Sequence, residues 1–264
     1  MPGISVKIIK KNETTAAVSY GEEAASLVYS SRYEEGDRIS VEIETAPSYL
    51  VIQLDDAIGE SLVYLSDRAM SFSIPFAEKK ICYSPKSFRG DKHLLTVRYA
   101  RESEIDAYRN LACNKYDTHE AVCCYPHASA NVETRNEAVF AARNAIDGIH
   151  ENTAHGEWPY GSWGINRDPK AKMRLDFGRS VGIDTLIFYL RADFPHDSWW
   201  TEAEVTFSDG TKESIFFEKT GAAQRFPIAP RQIEWLEIGN LKKAEDPSPF
   251  PALAQLEVYG TEVK

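Results

Sequence analysis

The chain has 264 residues, with 30 lysines and arginines against 40 aspartates and glutamates, a formal net charge of −10. That balance excludes a nucleic-acid partner, which needs a basic footprint, and an anionic membrane surface, which needs the same. With 43% hydrophobic residues the chain can bury a sizeable core, enough for two ordinary domains or one large one.

The chain enters strand-like sequence at once, through Ile4-Ser5-Val6-Lys7. It shows no apolar signal region, and no run approaches the length of a membrane span, so a cytoplasmic location off the membrane is expected. Cys82, Cys113, Cys123 and Cys124 do not have the spacing of a disulfide framework and read as reduced thiols.

From Ile4 to about Ala100 one short strand follows another. Arg38–Ile43 alternates with period two. Tyr49–Leu54 is an apolar run suited to burial on both faces. Ser61–Leu65, Met70–Ile74, Lys80–Tyr83 and His93–Tyr99 continue the series. Turn residues such as Glu35-Gly36-Asp37, Ala46-Pro47-Ser48 and Arg89-Gly90-Asp91 separate them. Many short strands at regular spacing predict a sandwich or jelly roll, and no catalytic signature falls here.

Arg101 to Leu111 carries Ile105, Tyr108 and Leu111 at helical spacing among charges, which predicts a short helix or linker. A second domain starts near Asn110, so the chain divides into residues 1–107 and 108–264. In the second part Thr134-Arg135-Asn136-Glu137 has the form of a capping box. It predicts a helix through Ala138–Asn144, ending near Asp147-Gly148, with Val139, Ala142, Ala145 and Ile146 as its apolar stripe.

Strands then resume. Lys172–Phe177 alternates and turns at Gly178. Thr185–Leu190 reads as a central strand. Glu204–Phe207 and Ser214–Phe217 flank Asp209-Gly210, a hairpin signal. Ile233–Ile238 and Gln255–Tyr259 come last. Between them Asp246-Pro247-Ser248-Pro249-Phe250-Pro251 can be neither helix nor inner strand; Phe250 between prolines favours an ordered rim loop. The fold class is therefore all-β, two sandwich domains.

Four of the five tryptophans lie between His155 and Gly210, among histidines, an arginine and aspartates. Aromatic faces stack on the apolar face of a pyranose while short polar side chains take its hydroxyls. The candidate ligand residues are His155, Trp158, Tyr160, Trp163, Arg191, Asp193, His196, Asp197 and Trp199. Against this stand two simpler readings: the tryptophans are core, and Arg191 pairs with Asp197 to hold its loop.

Asn144-Ala145-Ile146-Asp147-Gly148, a threonine shortly after, and Gln255-Leu256-Glu257-Val258-Tyr259-Gly260 together resemble the discoidin domain. It is also called the F5/8 type C or galactose-binding-like domain, and includes carbohydrate-binding module family 32 of bacterial glycosidases. The resemblance covers roughly Asn110 to Lys264. It implies a jelly roll that binds a carbohydrate ligand through loops at one end and does no chemistry itself. A protein-interaction module of the same fold, with a protein partner or a homo-oligomer, is the alternative; a small glycan-processing enzyme is a further one. The resemblance also implies a structural calcium ion, with Asp147, Thr153 and Glu257 supplying oxygens. The loop departs from the family pattern, since Ile149 stands where an acidic or amide residue is usual. In place of binding, Asp147 can cap a turn and Glu257 can be solvated.

Other chemistry is weaker. Cys113, Cys123, Cys124 and His127 match no usual zinc spacing. Glycoside hydrolysis needs two facing carboxylates, for which Asp193, Asp197 and Glu157 are available. His196-Asp197 has no marked nucleophile as partner.

Overall fold

The computed structural model describes residues 3–263. Eight strands build the first half: β1 (Ile4–Ile9), β2 (Thr15–Gly21), β3 (Ala24–Tyr29), β4 (Arg38–Ile43), β5 (Ser48–Gln53), β6 (Ser61–Leu65), β7 (Ala69–Ser73) and β8 (His93–Tyr99). They form two antiparallel sheets, ordered β2-β1-β4-β7 and β6-β5-β8-β3, the second extended by a strand from later in the chain. The alternation of β4 puts Ile39, Val41 and Ile43 into the core between the sheets, with Val6, Ile8, Leu50, Ile52 and Val97. The strand expected at Lys80–Tyr83 is instead a 3₁₀ turn over Ala77–Lys80 followed by further turns. Positive φ at Ala77 breaks extended geometry just before it.

The predicted helix after Arg101 is a single turn, α1 (Glu102–Ile105), with Glu104 accepting from the Arg101 N–H at 2.8 Å. Nine further strands follow: β9 (Arg109–Asn110), β10 (Cys124–Tyr125), β11 (His127–Ala130), β12 (Trp163–Gly164), β13 (Met173–Leu190), β14 (Trp200–Phe207), β15 (Lys212–Phe216), β16 (Gln224–Lys243) and β17 (Ala252–Glu262). β10 pairs with β6 and joins the first sandwich. Tyr116, Cys124, Val139 and Phe140 join its core. The chain past residue 108 therefore serves both halves.

The second half is one antiparallel sheet in the order β12-β17-β13-β16-β14-β15, wrapped on its own core of Leu175, Phe177, Leu186, Phe188, Phe207 and Leu256 among others. β13 runs through Gly178 rather than ending there, with a break in register between Asp176 and Val181. Gly178 has φ +66°, and a Cβ on it would lie 2.3 Å from the Tyr125 ring, so only glycine fits. The Asp209-Gly210 hairpin forms as expected, the Phe207 and Gly210 N–H groups donating to Thr211 and Phe207 carbonyls at 2.9 Å.

The helix predicted for Ala138–Asn144 is replaced by three 3₁₀ turns, Thr134–Asn136, Ala138–Phe140 and Ala142–Ile146. Glu137 and Ala141 between them are extended, and Arg135 and Asn136 are left-handed with φ of 52° and 54°. Ala142 through Ile146 are all buried. A segment enclosed on every side has no solvent face for an amphipathic helix to keep.

The halves are stitched by buried charge. Glu262 accepts from Tyr49 at 2.7 Å, from Arg109 at 2.6 Å and from Arg179 at 2.8 and 2.5 Å. The Arg179 guanidinium also lies 5.1 Å from the Tyr49 ring and 4.9 Å from Tyr64. All four cysteines are free thiols. Among the described residues, no helix is long and apolar enough to cross a membrane.

Candidate functional site

One rim of the second sandwich carries an open cleft of about 210 Å³. Three segments wall it. The first is the turn Thr134-Arg135, the second is Gly164 to Arg167, and the third is the Phe250-Pro251 loop, with His155, Arg191 and His196 also in the lining.

The first two walls share a device. Arg135 and Asn136 are left-handed, and so are Asn166 and Arg167, with φ of 49° and 62°. Left-handed non-glycine residues cost about 1–3 kcal/mol each and cluster at binding sites. The Thr134 hydroxyl joins the walls by accepting the Asn166 N–H at 2.9 Å. Gly164 makes the close approach feasible: a Cβ there would lie 2.6 Å from that hydroxyl oxygen and 3.3 Å from Phe140.

The third wall is the proline-rich loop, ordered as expected. Ser248 is buried, its N–H held by Asp246 at 2.9 Å while its hydroxyl donates to the His196 carbonyl at 3.0 Å. This presents Phe250 to the cleft, and the Arg167 guanidinium sits 4.3 Å from its ring centroid.

Under the cleft lies a buried polar group. Arg191 and Asp193 are 5% and 6% exposed. Arg191 Nε stands 2.8 Å from Asp193 Oδ1, a charge contact in which the N–H is not aimed at the oxygen, so both atoms lack a hydrogen-bond partner. Arg191 donates instead to the His196 carbonyl at 2.9 Å. The other Asp193 oxygen holds His155 Nδ1 in a short hydrogen bond. The His155 and His196 rings meet edge to face at 5.4 Å.

His155, Asp193 and His196 form the one group of three or more metal-ligating side chains among the described residues. Arg191 already supplies positive charge to the carboxylate, and His155 takes its second oxygen. The trio thus reads as an orienting network that turns an imidazole toward the cleft.

Three of the nine predicted ligand residues, His155, Arg191 and His196, line the cleft, and Asp193 supports them from below. The other five are not in its lining. Trp163 is fully buried and donates from Nε1 to the Val132 carbonyl at 3.0 Å, 6.2 Å from the equally buried Trp200. Trp199 is half-buried beneath Lys219, whose Nζ is 5.2 Å from its ring. Trp158 is 39% exposed and its N–H donates to the Ile81 carbonyl of the first sandwich at 2.8 Å, outside the cleft with half-buried Tyr160. Asp197 pairs with Lys219 at 3.7 Å rather than with Arg191. The aromatic wall is Phe250, with Phe140 behind it. Asn next to Arg at 135–136 and at 166–167 was the available signal for the walls, since Asn is enriched in left-handed turns.

The three residues implied as calcium ligands make bonds within the protein. Asp147 caps a turn through the Ile149 N–H at 2.9 Å. Glu257 is buried and bonded to His150 at 2.7 Å, with the imidazole stacked 4.5 Å from Tyr189. The Thr153 hydroxyl donates to Glu151 at 2.6 Å. A calcium shell takes six to eight oxygens, and an ion held by these three side chains would have to exchange these bonds for metal bonds. Burial pushes the Asp147 carboxyl up to about 6, against the pull of Arg143. A raised folded value means that ionised Asp147 opposes folding above about pH 6 and that this cost fades as pH falls toward its ordinary range. Asp147→Asn is therefore expected to gain on the order of 2 kcal/mol at pH 7.5 and nothing at pH 4. Thermal melts of the parent and the variant at the two pH values check this.

No family model and no curated protein matches the chain. Several solved structures are similar in fold. Chitosan-binding module 1 of a chitosanase/glucanase from Paenibacillus sp. IK-5 is 17% identical, covering 58% of this chain and 100% of its own, with a TM-score of 0.41. The family 32 carbohydrate-binding module of NanJ from C. perfringens, solved with galactose, is 20% identical over 50% of this chain and 91% of its own, at 0.39. A fucose-binding module from Streptococcus pneumoniae, SpX-3, is 14% identical over 58% and 98%, at 0.41.

Proposed function

We infer that the protein binds a carbohydrate, without catalysis, in the rim cleft of its second sandwich. The observation that carries this is the cleft's makeup: Phe250 with the Arg167 guanidinium stacked on it, in one lining with His155, Arg191, His196 and Asn166. A ring face for the apolar side of a sugar and donors for its hydroxyls are what such a ligand requires. The cleft is smaller than the roughly 300–1,000 Å³ of a pocket enclosing a drug-sized ligand, which suits one terminal sugar ring left partly in solvent.

Catalysis is disfavoured because no carboxylate lines the cleft, whereas glycoside hydrolysis needs an acid and a second carboxylate flanking the bond. Asp193 lies beneath, held by Arg191 and His155, and Asp197 is paired with Lys219.

Screening the intact chain on a glycan array, followed by calorimetry on the hits, tests the reading. Phe250→Ala should weaken binding roughly five- to tenfold, as loss of a stacking contact of about 1–1.5 kcal/mol demands. Trp158→Ala should leave affinity within twofold. Equal binding by the Phe250 variant would remove the cleft from consideration.

A further inference from the structure

We propose that the cleft selects an acidic sugar, one bearing a carboxylate or a sulfate ester, over its neutral counterpart. This rests on the glycan reading of the same cleft.

The charge distribution argues for it. Acidic side chains outnumber basic ones by 40 to 30 over the chain. Yet the cleft is lined by Arg135, Arg167, Arg191, His155 and His196, and by no aspartate or glutamate. A cationic group held in a hollow on an anionic molecule focuses field on an anionic ligand.

The arginines differ in how far they are committed. Arg135 is held by Glu137 at 2.5 and 2.7 Å. Arg191 is buried against Asp193. The Arg167 guanidinium has no ion pair and no hydrogen bond among the described residues; its only partner is the face of Phe250, 4.3 Å away. Stacking fixes the plane of the guanidinium and leaves its N–H edge free, which is the geometry for a bidentate grip on a planar carboxylate or on two sulfate oxygens. Arg167 covers one face of Phe250; a sugar packed on the remaining surface of that ring would hold a charged substituent near the guanidinium edge. A neutral hydroxyl would use one donor of the fork and leave the charge unanswered. The left-handed backbone at Asn166 and Arg167 keeps the group at the wall.

The test is calorimetry with the intact protein on matched oligosaccharides differing only in the terminal residue: galactose, galacturonic acid and galactose 6-sulfate, with the matching glucose set, at 50 and 500 mM salt. At least one acidic form should bind tenfold or more tightly than its neutral partner, and the advantage should shrink at high salt. Arg167→Gln should abolish the acid preference, so that acidic and neutral forms bind alike; Phe250→Ala should lose binding of both.

Equal affinity for acidic and neutral forms, still lost in Phe250→Ala, would overturn the acid preference and leave the glycan site standing. Binding of no sugar by the parent would sink both. Displacement by millimolar inorganic sulfate or phosphate as effective as the sugars themselves would show a simple anion site and also refute the proposal.

Discussion

Glu262→Ala is expected to lose about 3–5 kcal/mol of stability, the usual result of removing one member of a buried ion cluster. The carboxylate is 4% exposed and serves Arg109, Arg179 and Tyr49 together. Without it the Arg179 guanidinium, only 10% exposed, remains between the halves with no counter-charge. Burial raises the Glu262 pKa, but the bonds from Arg179, Tyr49 and Arg109 win and hold it below the ordinary value of 4.5. A depressed folded value means that the contribution is fully present above about pH 4.5 and is lost as pH falls through the lower folded value. The deficit of the variant, measured by urea melts, should therefore be constant from pH 8 to 5.5 and shrink only in strong acid. Since Tyr49 lies on β5 and Glu262 on β17, the variant should also separate unfolding of the two halves, visible as a second transition. A single transition with an unchanged midpoint would show that the cluster holds nothing together.

The second large effect is expected at Asp193. Asp193→Ala should cost about 3–5 kcal/mol, because Arg191 is left charged and buried, and should also abolish ligand binding. The two losses have separate causes. Stability falls because the guanidinium loses its counter-charge 2.8 Å away. Binding falls because His155 loses the carboxylate that orients its ring. Replacing both charges, in Arg191→Met with Asp193→Leu, should recover most of the stability, as apolar replacements of buried pairs commonly do, and recover no binding. Denaturant melts alongside calorimetry distinguish the outcomes. Recovery of binding in the double variant would mean that the network is packing alone.

The aromatic run was a poor guide to what lines the cleft. Trp163 and Trp200 are the largest fully buried side chains, and a sequence does not state which way a ring points. β12 is only two residues long, too short for its alternation to reveal that Trp163 faces the core. Arg191 was legible for a local reason: it follows the last residue of the long strand β13, where a side chain leaves the sheet for the rim. Phe250 was legible only in part. The prolines around it predicted an ordered loop, while its place opposite Arg167 depends on residues 83 positions apart in the chain.

Patterns of period two and the punctuation of Gly, Pro and Asp determined the all-β class, most strands and the hairpin at Asp209-Gly210, because strand alternation and turn chemistry act over a few residues. Tertiary structure decided the rest. It turned a capping-box pattern into left-handed and 3₁₀ turns that lead into Ala142–Ile146, a segment buried throughout and so without the solvent face an amphipathic helix keeps. It also sent β10 back to the first sandwich and paired Arg191 with Asp193 rather than Asp197. Which charges meet, and which ring faces water, follow from burial against distant neighbours, and that free energy is carried by the folded whole rather than by any short stretch of chain.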